Sequence, residues 1–302
     1  MDYKQKFEPR GDKILHGAGQ SLEMFREYWN AVEKNKPAIY MTYVKVDEIK
    51  EKFEKKINDM FDVSKNLMPQ IGLNLKSRTR VSICKEVSKG EYDSEIIFLI
   101  KVLKRIKNPS FIRIGYEFDK TGKYDSEDFV NAWKQVVNLI KKNKAENIVT
   151  VWCACPYKGT APVEPYYPGD NYVDWFGIDV FSAKAFKDSK DKQVEDFLKL
   201  AEKHKKPVMI GESSSARTGV DKGQESWDEW FKSYFEWIAN HPNIKSFCYI
   251  NWDWGKDWKQ PEWLNGRIQE NEIVRKNYVK EISKPKYIHN QNISEFLKKV
   301  YT

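Results

Sequence analysis

The chain of 302 residues is 40% hydrophobic and 14% aromatic, and its formal net charge is +8 at pH 7. This length fits one large α/β barrel or two average domains. Basic residues alternate with acidic ones along predicted helices, as over residues 48–56, which indicates solvated helix faces and disfavours a nucleic-acid partner. No run of 18 apolar residues occurs, so the sequence predicts no membrane-spanning segment.

The cysteines and histidines do not predict a metal site. None of Cys84, Cys153, Cys155 and Cys248 forms a Cys-x-x-Cys pair, and the chain has only four histidines. We therefore expect buried free thiols, no metal and no other cofactor. The first eight residues lack the apolar core of a signal peptide. The protein is expected in the cytoplasm, or outside the cell if a leader has been removed.

Strand-like and helix-like segments alternate along the chain. In chain order, apolar runs rich in β-branched and aromatic residues predict strands over 14–20, 38–46, 67–75, 111–118, 147–155, 173–182, 207–212 and 244–254. Apolar side chains at helical spacing predict the helices between and after them, over 21–36, 47–61, 93–107, 126–140, 194–204, 227–238, 271–282 and 294–300.

This alternation predicts a parallel sheet covered by helices. Eight units in about 250 residues match a single (β/α)8 TIM barrel. We assign residues 1–302 to one catalytic barrel domain with helices at its C-terminal end. A doubly wound open sheet is the alternative, but it usually carries a glycine-rich nucleotide loop after its first strand. The segment His-Gly-Ala-Gly-Gln at 16–20 lacks the full spacing of that loop.

Two glutamates end apolar strand-like runs, Glu117 on the fourth strand and Glu212 on the seventh. A buried run is destabilised by an unpaired carboxylate, so each needs a reason. Each alone could be a structural salt bridge. Together, at the carboxyl ends of barrel strands, they suit a retaining glycosidase, which needs two carboxyl groups about 5–5.5 Å apart.

In that reaction Glu212 attacks as the ionised nucleophile and Glu117 donates a proton. Desolvation and the charge of Glu212 are expected to raise the pKa of Glu117. Strand alternation places Arg113, Gly115 and Glu117 on one face, with Arg113 one layer below Glu117. Arg113 is expected to keep Glu212 ionised. By the same alternation, Val208, Ile210 and Glu212 are expected to share a face.

The segments Arg-Ile-Gly-Tyr-Glu at 113–117 and Val-Met-Ile-Gly-Glu at 208–212 resemble the strand-four and strand-seven motifs of clan A glycoside hydrolases. Residues 147–152 and 166–179 are most similar to family 26, the endo-β-mannanase family. The resemblance extends over about 14–254. It implies a barrel, a retaining mechanism, Glu117 as acid/base and Glu212 as nucleophile.

Three positions depart from the family pattern. Tyr116 stands where the family usually has histidine, Phe181 where it has a tyrosine that hydrogen-bonds the nucleophile, and Tyr124 in place of a sugar-stacking tryptophan. The resemblance also implies that Trp252 lies under a sugar ring. The expected substrate contacts are Arg113, Tyr116, Tyr124, Trp152, Asp179 and Trp252.

The leading prediction is a monomeric retaining enzyme that cleaves an oligo- or polysaccharide with β linkages. Mannan is the first expected substrate, and mixed-linked glucan or β-xylan come next. The runner-up is an inactive barrel that binds carbohydrate through its aromatic side chains. An esterase is disfavoured because no Gly-x-Ser-x-Gly elbow occurs.

Overall fold

The structure, a computed structural model, describes residues 2–79, 81–157, 159–187 and 192–300. Its strands are β1 (Ile14–Gly19), β2 (Ile39–Lys45), β3 (Met68–Asn74), β4 (Ser110–Ile114), β5 (Ile148–Ala154), β6 (Trp175–Val180), β7 (Val208–Ser213), β8 (Ile244–Ile250) and β9 (Tyr287–Ile288). Each of β1 to β7 pairs in parallel with the next strand, and β8 pairs with β1. The sheet therefore closes, which confirms the predicted (β/α)8 barrel. The short β9 lies beside the start of β1.

Helices follow the strands around the barrel. They are α1 (Leu22–Ala31), α2 (Ile49–Val63), α3 (Cys84–Ser88), α4 (Asp93–Lys104), α5 (Ser126–Lys142), α6 (Lys184–Lys187), α7 (Gln193–Lys203), α8 (Gln224–Ser226), α9 (Lys232–Asn240), α10 (Trp254–Asp257), α11 (Glu272–Ile282) and α12 (Ile293–Val300). A π-helical turn, Trp227–Phe231, joins α8 to α9. The sequence did not predict α3, α6, α10 or β9. Among the described residues, no helix has both the length and the apolar character needed to cross a bilayer.

Local signals explain several helix starts. The side chain of Ser21 accepts a hydrogen bond from the backbone N–H of Met24 at the start of α1, and Asp125 caps α5 by accepting from Asp128. These caps satisfy backbone donors that a helix end leaves without partners. All four cysteines are buried and free, as expected.

The core has two parts. One apolar cluster lies inside the barrel and includes Phe111, Val151 and Met209, whereas a larger cluster between strands and helices includes Ile112 and Ile210. Neighbouring residues of one strand thus fall into different clusters, as strand alternation requires. This division shows which strand positions face the barrel interior, and the site depends on it. The assignment of the whole chain to one domain stays a prediction.

Candidate active site

The fourth and seventh strands end differently from the sequence prediction. Strand β4 stops at Ile114, and both Gly115 and Glu117 have left-handed backbone angles, with φ of 57° and 53°. Glu117 therefore lies in the loop after β4, where its N–H donates to the Cys153 carbonyl at 2.7 Å. Simple alternation from Arg113 to Glu117 was wrong because the strand had already ended.

A β-bulge turns Glu212 into the barrel. Ile178 of β6 is paired with Ile210, but Asp179 is paired with Glu212, so Gly211 is an extra residue on β7. Ile210 belongs to the outer cluster, and regular alternation would have sent Glu212 outwards with it. The prediction that Ile210 and Glu212 share a face was therefore wrong. Bulges re-aim side chains in this way and are frequent beside active sites.

Arg113 is the centre of the site. Its guanidinium is fully buried, and Nη2 donates to Glu212 Oε1 at 2.6 Å while Nη1 donates to both carboxylate oxygens of Asp179 at 2.9 Å. Burial lowers the pKa of Arg113, but the charges of Asp179 and Glu212 outweigh this and raise it. Removing one member of such a buried group leaves an uncompensated charge. The expected contact between Arg113 and Glu212 is present.

Asp179 carries the least favourable charge of this group. Burial raises its pKa well above the usual value, Arg113 opposes this effect, and the charges of Glu212 and Glu117 add to the rise. One guanidinium faces two carboxyl groups, so their charges are only partly compensated within this group. Sequence reasoning named Asp179 as a substrate contact, but in the structure its partners are Arg113 and the Cys153 thiol.

Gly211 leaves room for this arrangement. A Cβ atom at this position would lie 2.7 Å from Asp179 Oδ1 and 2.8 Å from Arg113 Nη1. The Gly211 carbonyl accepts a hydrogen bond from Gln70 Nε2 at 2.8 Å, and the Gln70 oxygen accepts from the Cys248 thiol. The bulge is therefore held from β3 and β8 through buried polar contacts.

Glu117 is paired with a lysine that the sequence analysis did not name. Lys120 Nζ lies 2.5 Å from Glu117 Oε2, and the lysine follows the glutamate by three residues. Burial raises the pKa of Glu117, but Lys120 and Lys123 more than offset this, so the pKa is lowered overall. The expected rise in the pKa of Glu117 was therefore wrong for the protein without substrate. The signal that could have indicated this is the cluster of lysines at 120 and 123.

Partly exposed aromatic rings pack against the inner cluster at the mouth of the barrel. They are Tyr43, Tyr116, Phe181, Trp252 and Trp263. The centroid of the Tyr116 ring lies 4.8 Å from the Arg113 guanidinium and 4.6 Å from Lys123 Nζ, so the ring contacts two cations. Trp252 follows β8 and contacts Trp254 and Trp258, with ring centroids 5.1 and 5.4 Å away. Flat rings of this kind suit the C–H faces of sugars.

Trp152 and Tyr124 lie apart from these rings. Trp152 is fully buried in the outer cluster, where its ring stacks on Phe118 at 4.6 Å and its N–H donates to the Tyr166 carbonyl. Its neighbours Val151 and Cys153 face the interior instead. Trp152 thus has no exposed surface for a sugar. Tyr124 is 5% exposed and packs against Phe129 in the outer cluster.

A cavity of about 410 Å³ opens beside Asp179 and Lys120, at the carboxyl ends of β5, β6 and β7. Its lining includes Lys120, Asp179, Phe181, Lys184, Arg217 and Trp263. Among the described residues, no cluster of three or more histidine, cysteine, aspartate or glutamate side chains is arranged to hold a metal ion. The site therefore offers two glutamates, a buried guanidinium and a basic, aromatic cavity, which suits acid–base and nucleophilic chemistry.

Comparisons with known proteins point to one family. The model of glycosyl hydrolase family 26 matches residues 116–245. A β-1,3-xylanase, TXYA from Vibrio sp., is 30% identical in an alignment 234 residues long, which covers 68% of this chain and 50% of that protein. A β-1,3-xylanase from Alcaligenes sp. is 26% identical in an alignment 315 residues long, which covers 92% of this chain and 65% of that protein. The chain thus spans about half to two thirds of the length of these relatives.

Solved structures share the fold. A family 26 β-mannanase from Bacteroides ovatus superposes with a TM-score of 0.60 at 13% identity, covering 93% of this chain and 88% of that one. An endo-β-1,4-mannanase from Cellulomonas fimi gives 0.62 at 13% identity, covering 88% and 67%. At this identity the likeness concerns the barrel.

Proposed function

Because the chain belongs to family 26 of the clan A glycoside hydrolases, we propose that it cleaves a β-linked polysaccharide with retention of configuration. The observation that carries this proposal is the 2.6 Å hydrogen bond from Arg113 to Glu212, in a site that Glu117 shares. A bulge and a buried guanidinium hold Glu212 at the end of β7, which suits a nucleophile. An inactive binding barrel has no need for such an apparatus.

We assign Glu212 to the nucleophilic attack. Arg113 donates to Oε1, and we assign Oε2 to attack on the anomeric carbon. In the first step the C1–Oε2 bond forms, the glycosidic C1–O bond breaks, and the leaving oxygen takes a proton from Glu117. In the second step a water molecule attacks C1 and gives a proton to Glu117, and the bond to Glu212 breaks.

This cycle requires Glu117 to hold a proton at the start. The ion pair with Lys120 favours the ionised form of Glu117. Lys120 therefore has to give up part of this contact when substrate enters, or the first step is confined to acidic pH. The side chain of Lys120 is 43% exposed, so it has room to move.

The proposal for the substrate has two parts, the general class of glycan and the particular polysaccharide. A β-linked glycan follows from the family. β-Mannan remains a candidate, and β-1,3-xylan is favoured beside it because both relatives described above are β-1,3-xylanases by name. The five rings at the mouth, defined above, would stack on the sugar chain. Of the expected substrate contacts, we keep Tyr116 and Trp252 for this role.

The proposal is tested with two glutamine variants and a matched control. E212Q and E117Q should each lose at least about 10³-fold in kcat on β-mannan or β-1,3-xylan while remaining folded under the assay conditions. E127Q, at an exposed glutamate in the first turn of α5, should keep full activity. A 2-deoxy-2-fluoro xyloside or mannoside should label Glu212 in peptide mapping. A label on another residue, or an inverted product, would refute the assignment.

A further inference from the structure

The cavity lined by Lys120 and Asp179 carries mainly positive charge. Three cationic side chains line it, Lys120, Lys184 and Arg217, and Asp179 is the one acidic residue in its lining within the described part of the chain. Asp179 is 2% exposed and already contacts Arg113. The surface that a ligand would meet is therefore strongly positive.

Two of these cations form no salt bridge with an acidic side chain that the structure describes. Within residues 2–79, 81–157, 159–187 and 192–300, neither Lys184 nor Arg217 forms a salt bridge, although most of the arginines in the same ranges do. Lys120 is paired with Glu117 alone. A neutral glycan would not compensate this charge, whereas an anion would.

Arg217 is held at the cavity by a strained backbone. Its φ is 69°, in the left-handed region, and its N–H donates to the Trp263 carbonyl at 3.1 Å. A residue other than glycine in this conformation costs about 1 kcal/mol or more and persists where its surroundings hold it. Such strain is frequent at ligand sites. Phe181 and Trp263, whose ring centroids are 5.3 Å apart, provide apolar surface in the same cavity.

We propose that this cavity binds an acidic substituent of the glycan, a uronate carboxylate or a sulfate ester, through Arg217, Lys184 and Lys120. The proposal rests on the proposed function, because it names the class of glycan that the same site receives. A guanidinium matches the planar fork of either oxyanion, lysine ammonium groups add point charge, and the aromatic surface receives the sugar ring. The acidic group also gives Lys120 a second anion besides Glu117.

Binding to the E212Q variant tests the proposal without turnover. The probes are a neutral β-1,3-xylo-oligosaccharide and β-1,4-manno-oligosaccharide, and the same chains carrying a glucuronate branch or a sulfate ester. Calorimetry at about 0.02 M salt should show an acidic form about tenfold tighter than its neutral parent, and the advantage should shrink at about 0.5 M salt. The arm that gains affinity identifies carboxylate or sulfate as the group recognised.

Second substitutions in the E212Q background assign the gain to the cavity. R217Q and K184Q should each remove a several-fold part of the preference for the acidic glycan and leave the affinity for the neutral one unchanged. R26Q, at an exposed arginine of α1, should change neither. Equal affinity for acidic and neutral forms, a preference that survives R217Q and K184Q together, or binding of no glycan at all would overturn the proposal.

Failure of the proposed function is read separately. If the unmodified protein hydrolyses neutral glycans but E212Q gains no affinity from acidic groups, the proposed hydrolase activity stands and the acidic subsite is refuted. If the unmodified protein is inert on every glycan but E212Q still prefers the acidic form, the acidic subsite stands and the hydrolase activity is refuted.

Discussion

Lys120→Met should move the alkaline limb of the pH–rate profile upwards. Lys120 Nζ lies 2.5 Å from Glu117 Oε2, with 43% of the lysine side chain and 11% of the glutamate side chain exposed. A pair this open to water contributes about 1 kcal/mol after solvent screening, which corresponds to about 0.7 pH units. Without Lys120, fewer cations oppose the rise in the pKa of Glu117 that burial causes, although Lys123 and Arg113 still lower this pKa.

The sign follows from the role proposed for Glu117. If the first step uses its protonated form, kcat/KM falls as pH rises through the pKa of this acid in the free enzyme. A cation beside Glu117 favours the ionised form and so lowers that pKa. Removal of Lys120 therefore extends activity to higher pH, by about 0.7 pH units on the magnitude above.

The assay is kcat/KM on a natural β-glycan from about pH 4 to 9. A dinitrophenyl glycoside serves as the control substrate, because its leaving group departs without a proton and its alkaline limb should not move. Lys101→Met, at an exposed lysine of α4, is the matched control variant. An unchanged or lowered alkaline limb in Lys120→Met would refute the role of the ion pair.

Three further substitutions test the site and its surroundings. Arg113→Met leaves two buried carboxyl groups without their cation, so the free energy of unfolding in urea should fall by about 3–5 kcal/mol and hydrolysis should cease. Gly211→Ala should lower the free energy of unfolding by about 1–3 kcal/mol and kcat by at least about 100-fold, because the added Cβ would clash with Asp179 and Arg113. Asp119→Asn should stabilise the protein at pH 7: burial raises the pKa of Asp119 from 3.8 to about 6, a penalty of about 3 kcal/mol.

The predicted stabilisation by Asp119→Asn is tested by its dependence on pH. The raised pKa means that the folded state binds this proton more tightly than the unfolded chain, so the stability linked to Asp119 is fully present below pH 3.8 and is lost as pH rises through about 6. The advantage of Asp119→Asn should thus fade towards pH 4 in urea unfolding. A constant advantage at every pH would contradict the linkage.

The predictions for Gly211→Ala and Arg113→Met can also be contradicted by experiment. Gly255→Ala is the control for Gly211→Ala, since the nearest atom to its added Cβ lies 3.6 Å away, and equal losses in the two variants would remove the steric argument. For Arg113→Met, full stability with lost activity would mean that the two carboxyl groups do not need the cation to remain buried. Unfolding and turnover are therefore measured on the same samples.

Much of the barrel followed from local patterns. Apolar runs of strand length alternate with segments of helical spacing, and eight such units predicted the closed sheet. The glutamates were recognised because an apolar run that ends in a carboxylate is unfavourable without a partner. Arg113 was expected to act on Glu212 for the same reason, and the two are in contact.

What a side chain faces was less predictable. Trp152 was expected in the cleft but lies between strand and helices, because Val151 and Cys153 occupy the inner face of β5. Periodicity shows which residues of a strand share a face, whereas pairing with neighbouring strands decides which of the two faces points into the barrel. The same limit hid Lys184, at the start of α6, and Arg217, in the segment after β7.

The sequence alone determined the alternating units, the two glutamates and the need for a buried cation, because each of these is set by residues close together in the chain. Only the tertiary structure decided where the two carboxyl groups lie and which side chains surround them. The bulge at Gly211 turns Glu212 inwards, the early end of β4 moves Glu117 into a loop, and that loop brings Lys120 against it. Strand register and loop path arise from packing between distant segments, and they set the charge around each glutamate.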